Sequence, residues 1–292
     1  ATTAVSADVV CFTPIGMDHE AVLGSTPAAI ATDKACAMRP GVPALTGAQR
    51  PEVDACLSRA ARDKGALLQH AEAVAALPSG APLGLAGPHQ RGNALLALAA
   101  WVTLSQRCGW PEPVPDAVRL GLRKAFLPGR LQRVSAPGGR PGAFAETPSD
   151  IILDGAHNPH GMASLRAALA DDGITPGAVI FSCLADKNLE NMLPSLHALA
   201  GRAPLLAPTI ADNPRAAPSA ALASRIGGKA RALPHLRDAL REAARIAGNR
   251  PVVVCGSLFL LAEFFMLYPQ YLEPRSSAHG QADCDAHPRT AE

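Results

Sequence analysis

Ile151-Ile152-Leu153-Asp154-Gly155-Ala156-His157-Asn158-Pro159-His160 decides how the chain folds. Three apolar residues end in an acid, glycine and alanine turn the corner, and Asn158-Pro159 has the form of a helix cap followed by proline at the first helical position. Strand, loop, helix is the reading. In an open parallel sheet ligands sit beyond the carboxyl ends of the strands, which places Asp154 and His157 where a ligand would lie. The structural alternative stands beside it: Asp154 as a turn former, His157 as a surface residue and Asn158 as only a cap.

Outward from this stretch the pattern is a clean alternation. Apolar runs near 151–154, 178–183, 205–208 and 251–255 read as strands, separated by helices near 159–171, 188–200, 218–226 and 234–247, with a last helix from 258 to 267. This pattern is that of a doubly wound α/β domain. Its strand ends carry Asp154 to Asn158, Asp186-Lys187-Asn188 and Gly256-Ser257. The last pair opens a helix, whose free N–H groups favour an anion, although Ser257 is equally an ordinary cap.

Upstream, Val9 to Ile15 and Val42 to Thr46 read as buried strands, Pro51 to Lys64 as an amphipathic helix and Ala66 to Gln69 as a strand edge. Thr26-Pro27 starts a helix carrying Lys34. The helix Ala94 to Gln106, nearly all apolar inside, reads as a core helix with Asn93 in its first turn, and another helix runs from Pro115 to Ala125. Pro128-Gly129 is the candidate junction, giving domains 1–127 and 128–274 and a polar, aperiodic tail, 275–292, read as disordered.

At 292 residues the chain is long enough for two cores, and 48% apolar content excludes a mainly disordered protein. A formal charge of +2, without a basic stripe, points away from nucleic acid and anionic membranes. Small-molecule chemistry is the default. The seven cysteines form no C-x-x-C pair, and neither a signal peptide nor a membrane-spanning run is present, so a reduced, cytoplasmic protein is expected, with monomer as the default state.

Gly16-Met17-Asp18-His19, Asp33-Lys34-Ala35, His89-Gln90-x-x-Asn93, Leu127-Pro128-Gly129-Arg130-Leu131-Gln132, Asp154-Gly155-Ala156-His157-Asn158-Pro159, Asp186-Lys187 and Gly256-Ser257-Leu258 together resemble folylpolyglutamate synthase/dihydrofolate synthase. That family belongs to the Mur-ligase-type ATP-dependent amide ligases. The resemblance implies a Mur-type ATPase domain, truncated here, followed by a Rossmann-like C-terminal domain. It implies ATP and Mg²⁺ as cofactors, with dihydropteroate or a reduced folate and L-glutamate as substrates. The carboxylate is phosphorylated by ATP and the acyl phosphate is attacked by the glutamate amine.

Carried over by motif, His19 resembles the metal-binding histidine and Lys34 the lysine that becomes carbamylated, a reaction suited to a buried lysine of lowered pKa. Asn93 resembles an ATP contact, Arg130 the arginine that grips phosphate, and Asp154 an acid reaching the ribose. His157 and Ser257 resemble positions tied to the incoming glutamate, and Ala1 a remnant of the pteroate-binding surface. Where the family pattern has a second acid after Asp186-Lys187, this chain has Asn188.

The family's glycine-rich phosphate loop and the metal-binding glutamate after it are missing from these residues. Gly228-Lys229 does not replace them, because Ala223 stands where the first glycine of such a loop would be. Ala1-Thr2-Thr3-Ala4-Val5 resembles the segment following the family's Gly-Gly-Arg-Leu-Asp, as if the chain began partway through the ATPase domain. The expectation is that these residues alone do not ligate glutamate and that the open flank of the first sheet folds poorly or aggregates. Two other readings stay open: a non-catalytic nucleotide- or folate-binding relic, and another Mur-type ligase.

Overall fold

The computed structural model describes residues 6–17, 23–24, 26–135, 147–228 and 230–274. The chain builds two sheets, three-stranded and six-stranded. In the first, β1 (Val10–Phe12), β2 (Pro43–Thr46) and β3 (Leu67–His70) run parallel in sequence order. Helices α1 (Pro27–Ala35) and α2 (Pro51–Lys64) cover one face through Ile30, Ala31, Val53 and Leu57. Short α3 (Ala71–Val74) and long α4 (Gln90–Cys108) cover the other through Ala71, Leu96 and Ala99 against Leu45. Expected core helix α4 is buried on one side only: Trp101 is 47% exposed and rests against Trp110 with ring centroids 5.7 Å apart. Its apolar residues go round the helix, but the described residues supply a partner for one face.

The Gln49 side chain fastens the segment after β1. It accepts from Ile15 N–H at 2.9 Å and donates to the Thr13 carbonyl at 3.0 Å, which fixes the path into Gly16-Met17. Helix α5 (Pro115–Lys124) then leads to the second sheet.

That sheet comprises β4 (Gln132–Val134), β5 (Ile151–Leu153), β6 (Ala178–Phe181), β7 (Leu205–Pro208), β8 (Arg231–Leu233) and β9 (Val252–Cys255), in the order β4-β5-β9-β6-β7-β8. All neighbours are parallel except β4, which is antiparallel to β5. The uninterrupted apolar runs of β5, β6, β7 and β9 are buried throughout, as strands covered on both faces must be. Helices α6 (Pro159–Asp171), α7 (Leu189–Ala200) and α8 (Ser219–Ile226) pack on one face through Met162, Leu165, Met192 and Leu222. Helices α9 (Leu236–Ile246) and α10 (Leu258–Leu267) pack on the other through Leu240, Leu261 and Phe264. The sheet is doubly wound, as its alternation implies. Edge strands β4 and β8 escape the sequence reading because Arg133, Arg231 and Ala232 face solvent and break the apolar run.

Pro128-Gly129 is no slack hinge. Gly129 N–H donates to Gln132 Oε1 at 2.8 Å, its carbonyl accepts from Gly155 N–H at 2.9 Å, and Gln132 Nε2 donates to the Tyr271 carbonyl at 2.8 Å. The segment is clamped onto the second sheet from both sides.

Candidate functional site

The deciding stretch folds as its residues dictate. Asn158 caps α6, accepting from Gly161 N–H at 2.7 Å with Pro159 in the first turn. Asp154 is 9% exposed and spends both oxygens on backbone: Oδ2 accepts from Leu131 N–H at 2.9 Å and Oδ1 from Ala156 N–H at 2.8 Å. It therefore ties the loop carrying Arg130 to the end of β5. Leu131 has φ +45°, a left-handed backbone that a leucine seldom adopts, and the Asp154 carboxylate holds it there. Burial raises the Asp154 carboxyl above its ordinary value, against the lowering effects of the Leu131 and Ala156 amides, Arg130 and His89.

Half-buried Arg130 lies over Gly155: a side chain at Gly155 would stand 2.4 Å from Leu258 Cδ2 and 3.2 Å from Arg130 Nη1. Glycine is required there by close approach. His89 is within electrostatic range of Asp154, His160 and Arg130, so the start of α4 meets the rim of the second sheet. Gln90 Nε2 donates to His89 Nε2 at 3.0 Å, and Gln90 Oε1 accepts from Asn93 Nδ2 at 3.0 Å. An amide nitrogen only donates, so His89 is neutral with its proton on Nδ1. Desolvation, the largest influence, lowers its pKa; His160 and Arg130 add to this and Asp154 opposes it.

A pH dependence follows from that direction. Folding is unaffected by His89 above its ordinary pKa of 6.5, and the stability it contributes is lost as pH falls through its lowered folded value. There the protonated ring confronts the Gln90 amide donor and the chain to Asn93 breaks. Nucleotide affinity measured by calorimetry is expected to be flat from pH 8 to 7 and to fall below pH 6.5, and His89→Gln should flatten that acid limb.

On the other side of β5, His157 Nδ1 donates to the Gly155 carbonyl at 2.7 Å, which fixes the orientation of the ring. His157 lines a cavity of about 180 Å³ with Leu184, Lys187, Arg215, Gly256, Ser257, Leu258 and Phe259. Ser257 is 3% exposed and caps α10, accepting from Phe259 N–H at 3.1 Å, so its cap reading is realised while it also lines the cavity. Cationic groups and a helix N-terminus suit this cavity to a carboxylate. Asn188, standing where an acid was looked for, caps α7 by accepting from Asn191 N–H at 3.2 Å.

A larger cavity, about 630 Å³, runs along β1 and the segment after it, between Lys34 on α1 and Asn158 and His160 on α6. Lys34 is exposed, as a solvated helix residue is, and lacks the burial that would suit it to carbamylation. It sits in the last turn of α1, where the helix dipole favours a cation. The structure thus joins His89, Asn93, Arg130 and Asp154 on one side of β5 and His157 and Ser257 on the other. Ala1, His19 and the tail 275–292 lie outside the described residues. Sequence reasoning passed over Arg215; its one signal is the turn Asn213-Pro214-Arg215 beyond β7.

Residues 129–258 match the family described as Mur ligase, glutamate ligase domain. Folylpolyglutamate synthase of Lacticaseibacillus casei is 28% identical over 283 residues, 89% of this chain and 61% of the relative. Dihydrofolate synthase/folylpolyglutamate synthase of Escherichia coli is 31% identical over 286 residues, 90% of this chain and 60% of the relative. Among solved structures, Mycobacterium tuberculosis folylpolyglutamate synthase complexed with ADP superposes with a TM-score of 0.74 at 27% identity, covering 91% of this chain and 64% of that one. A bifunctional folylpolyglutamate synthase/dihydrofolate synthase from Yersinia pestis, complexed with AMPPNP and Mn ion, gives a TM-score of 0.72 at 26% identity, covering 91% and 62%. The chain spans about three fifths of the length of these relatives.

Proposed function

Because this chain is a homologue of the folylpolyglutamate and dihydrofolate synthases, carrying the Mur ligase glutamate ligase domain, we propose that it serves the ATP-dependent ligation of L-glutamate to a pteroate or folate carboxylate. The observation that carries the reading is that one short loop, Asp154 to Asn158, has Arg130 over its Gly155 and its own His157 in the small cavity, so that a cation suited to phosphate and a cavity suited to a carboxylate share a rim.

ATP is the reading's phosphoryl donor, converting the folate carboxylate to an acyl phosphate. Arg130, held beside Gly155 by the Asp154 clamp on its loop, binds nucleotide phosphate. The Asn93-Gln90-His89 chain faces the base, and the ring of His89 presents a neutral edge to it. In the small cavity Lys187, Arg215 and the N-terminus of α10 receive glutamate, and His157 Nε2 takes a proton from its ammonium group. The amine then forms the amide as phosphate leaves, an attack favoured because both partners are held on adjacent strand ends.

The described residues contain no group of three His, Cys, Asp or Glu side chains suited to a metal. Mg²⁺ enters the reading as the counterion of ATP phosphates, with His19 as its candidate protein ligand. Lys34 is the carbamylation candidate: its ammonium group would lose one proton to become the attacking amine and a second on adding CO₂, leaving a carbamate anion facing the larger cavity. The domain boundary is placed at 127/128, where the clamped Pro128-Gly129 turn hands the chain from α5 to the second sheet. Cytoplasmic placement rests on the free described cysteines, and monomer remains the assembly proposed. No helix among the described residues is long and apolar enough to cross a membrane.

Binding isolates the nucleotide half of this reading. ADP titrated into the chain is expected to bind, and Arg130→Ala to weaken it about 10- to 100-fold, the worth of a charge-assisted contact to phosphate. Equal affinity in the variant would remove Arg130 from the site. Turnover by these residues alone is expected to be absent, since a preorganised phosphate cradle supplies a large part of the stabilisation and the sequence carries no such loop.

A further inference from the structure

One lining residue of the small cavity, Arg215, is already engaged in an ion pair, with an Asp186 that does not itself line the cavity. Arg215, in the loop after β7, donates from Nη2 to Asp186 Oδ2 at 2.6 Å; Asp186 lies in the loop after β6, and the pair holds its carboxyl below the usual range. Arg215 lines the cavity together with Lys187 and His157. We propose that Asp186 is a stand-in for the substrate's side-chain carboxylate: it engages Arg215 until the amino acid arrives, and the incoming carboxylate displaces it. This inference rests on the reading of the cavity as the L-glutamate pocket.

Three observations carry it. First, the Arg215 and Asp186 side chains are 59% and 53% exposed, so the pair is of the kind whose net worth is small and whose exchange for another carboxylate is cheap. Second, Arg215 is held in place without Asp186. Its carbonyl accepts from Ala185 N–H at 2.8 Å, its own N–H donates to Asn213 Oδ1 at 3.0 Å, and Leu184 bridges Ala216. Opening the pair leaves the backbone that carries Arg215 where it is and frees the guanidinium N–H groups for another carboxylate. Third, strand order gives the cavity a direction. His157 follows β5, next to Arg130, whereas Arg215 follows β7, beyond β9 and β6. An amine facing the acyl group at the β5 end puts the distal carboxylate, not the α-carboxylate, at Arg215.

Displacement also confers selectivity. A neutral side chain such as that of glutamine must separate Asp186 from Arg215 without replacing the charge, or leave the pair closed and the cavity short.

Amide spectra of the full chain, titrated separately with L-glutamate and L-glutamine, test this through Gly256 and Ser257. Asp186→Asn, which keeps shape and removes the competing charge, is expected to lower the dissociation constant for L-glutamate about fivefold, with L-glutamine unchanged. Arg215→Gln is expected to raise the L-glutamate constant about tenfold and to cancel the effect of Asp186→Asn in the double variant. An Asp186→Asn chain that binds L-glutamate no tighter, or gains equally for L-glutamine, overturns displacement while the wild-type shifts leave the pocket standing. No L-glutamate shift at Gly256 or Ser257 in the wild type overturns the pocket and the displacement with it.

Discussion

Gly256→Ala is expected to destabilise the chain by about 3–5 kcal/mol, from backbone strain and a clash that cannot relax. Gly256 has φ +105°, and a methyl group there would lie 2.3 Å from the Ser182 carbonyl oxygen and 2.7 Å from the Phe181 ring. The Ser182 carbonyl is backbone of the segment leaving β6, and Phe181 is fully buried, so neither can give way locally. Retreat of Gly256 instead would break its N–H donation to the Ala156 carbonyl, 2.8 Å, and move Ser257 out of its cap. Gly248 is the control, with φ +61° and nothing within 4 Å of an added Cβ. Gly248→Ala should cost only the strain, about 1 kcal/mol. Urea midpoints of the two variants decide the matter; equal midpoints would show that the approach of β9 to β6 is not what fixes Gly256.

Asp154→Ala is the second large effect. It strips acceptors from the Leu131 and Ala156 amides, at about 1–3 kcal/mol for each donor left buried and unpaired, and releases the strained Leu131 turn. A loss of about 2–5 kcal/mol is expected, together with loss of nucleotide binding, because Arg130 is then unaimed. Asp154→Asn keeps one acceptor and should fall between. The pH sign is fixed by the raised carboxyl pKa. The folded state holds its proton more tightly than the unfolded one, so the contribution of Asp154 to stability falls as pH rises from its ordinary 3.8 through the folded value, and is constant above it. Its clamp works despite the charge that burial opposes. Thermal melts of wild type and variant from pH 4 to 8 should therefore converge as pH rises, and a gap that widens would contradict the clamp as described.

Much of this was legible from residue order. Ile151-Ile152-Leu153, Ala178 to Phe181 and Val252 to Cys255 are apolar at every position because both faces are covered, and such runs leave little choice but a central parallel strand. Asn158 and Ser257 behave as the caps their types suggest. What stayed hidden depends on pairs distant in sequence. That Asp154 spends its oxygens on residues 131 and 156, or that Gln90 dictates the tautomer of His89, is a matter of hydrogen-bond accounting that no local pattern records. Arg215 sits in an aperiodic loop and becomes visible only when β7 is set beside β6. Lys34 shows the reverse: its motif was conspicuous, while its exposure is decided by which side of α1 packs on the sheet.

A crystal structure of the chain grown with ADP and L-glutamate tests the shared rim most directly. The account predicts nucleotide phosphate against Arg130 and L-glutamate between His157, Ser257 and Arg215, its amine turned toward the phosphate. Phosphates lodged away from Arg130, or glutamate outside the cavity beside Gly256, would contradict it.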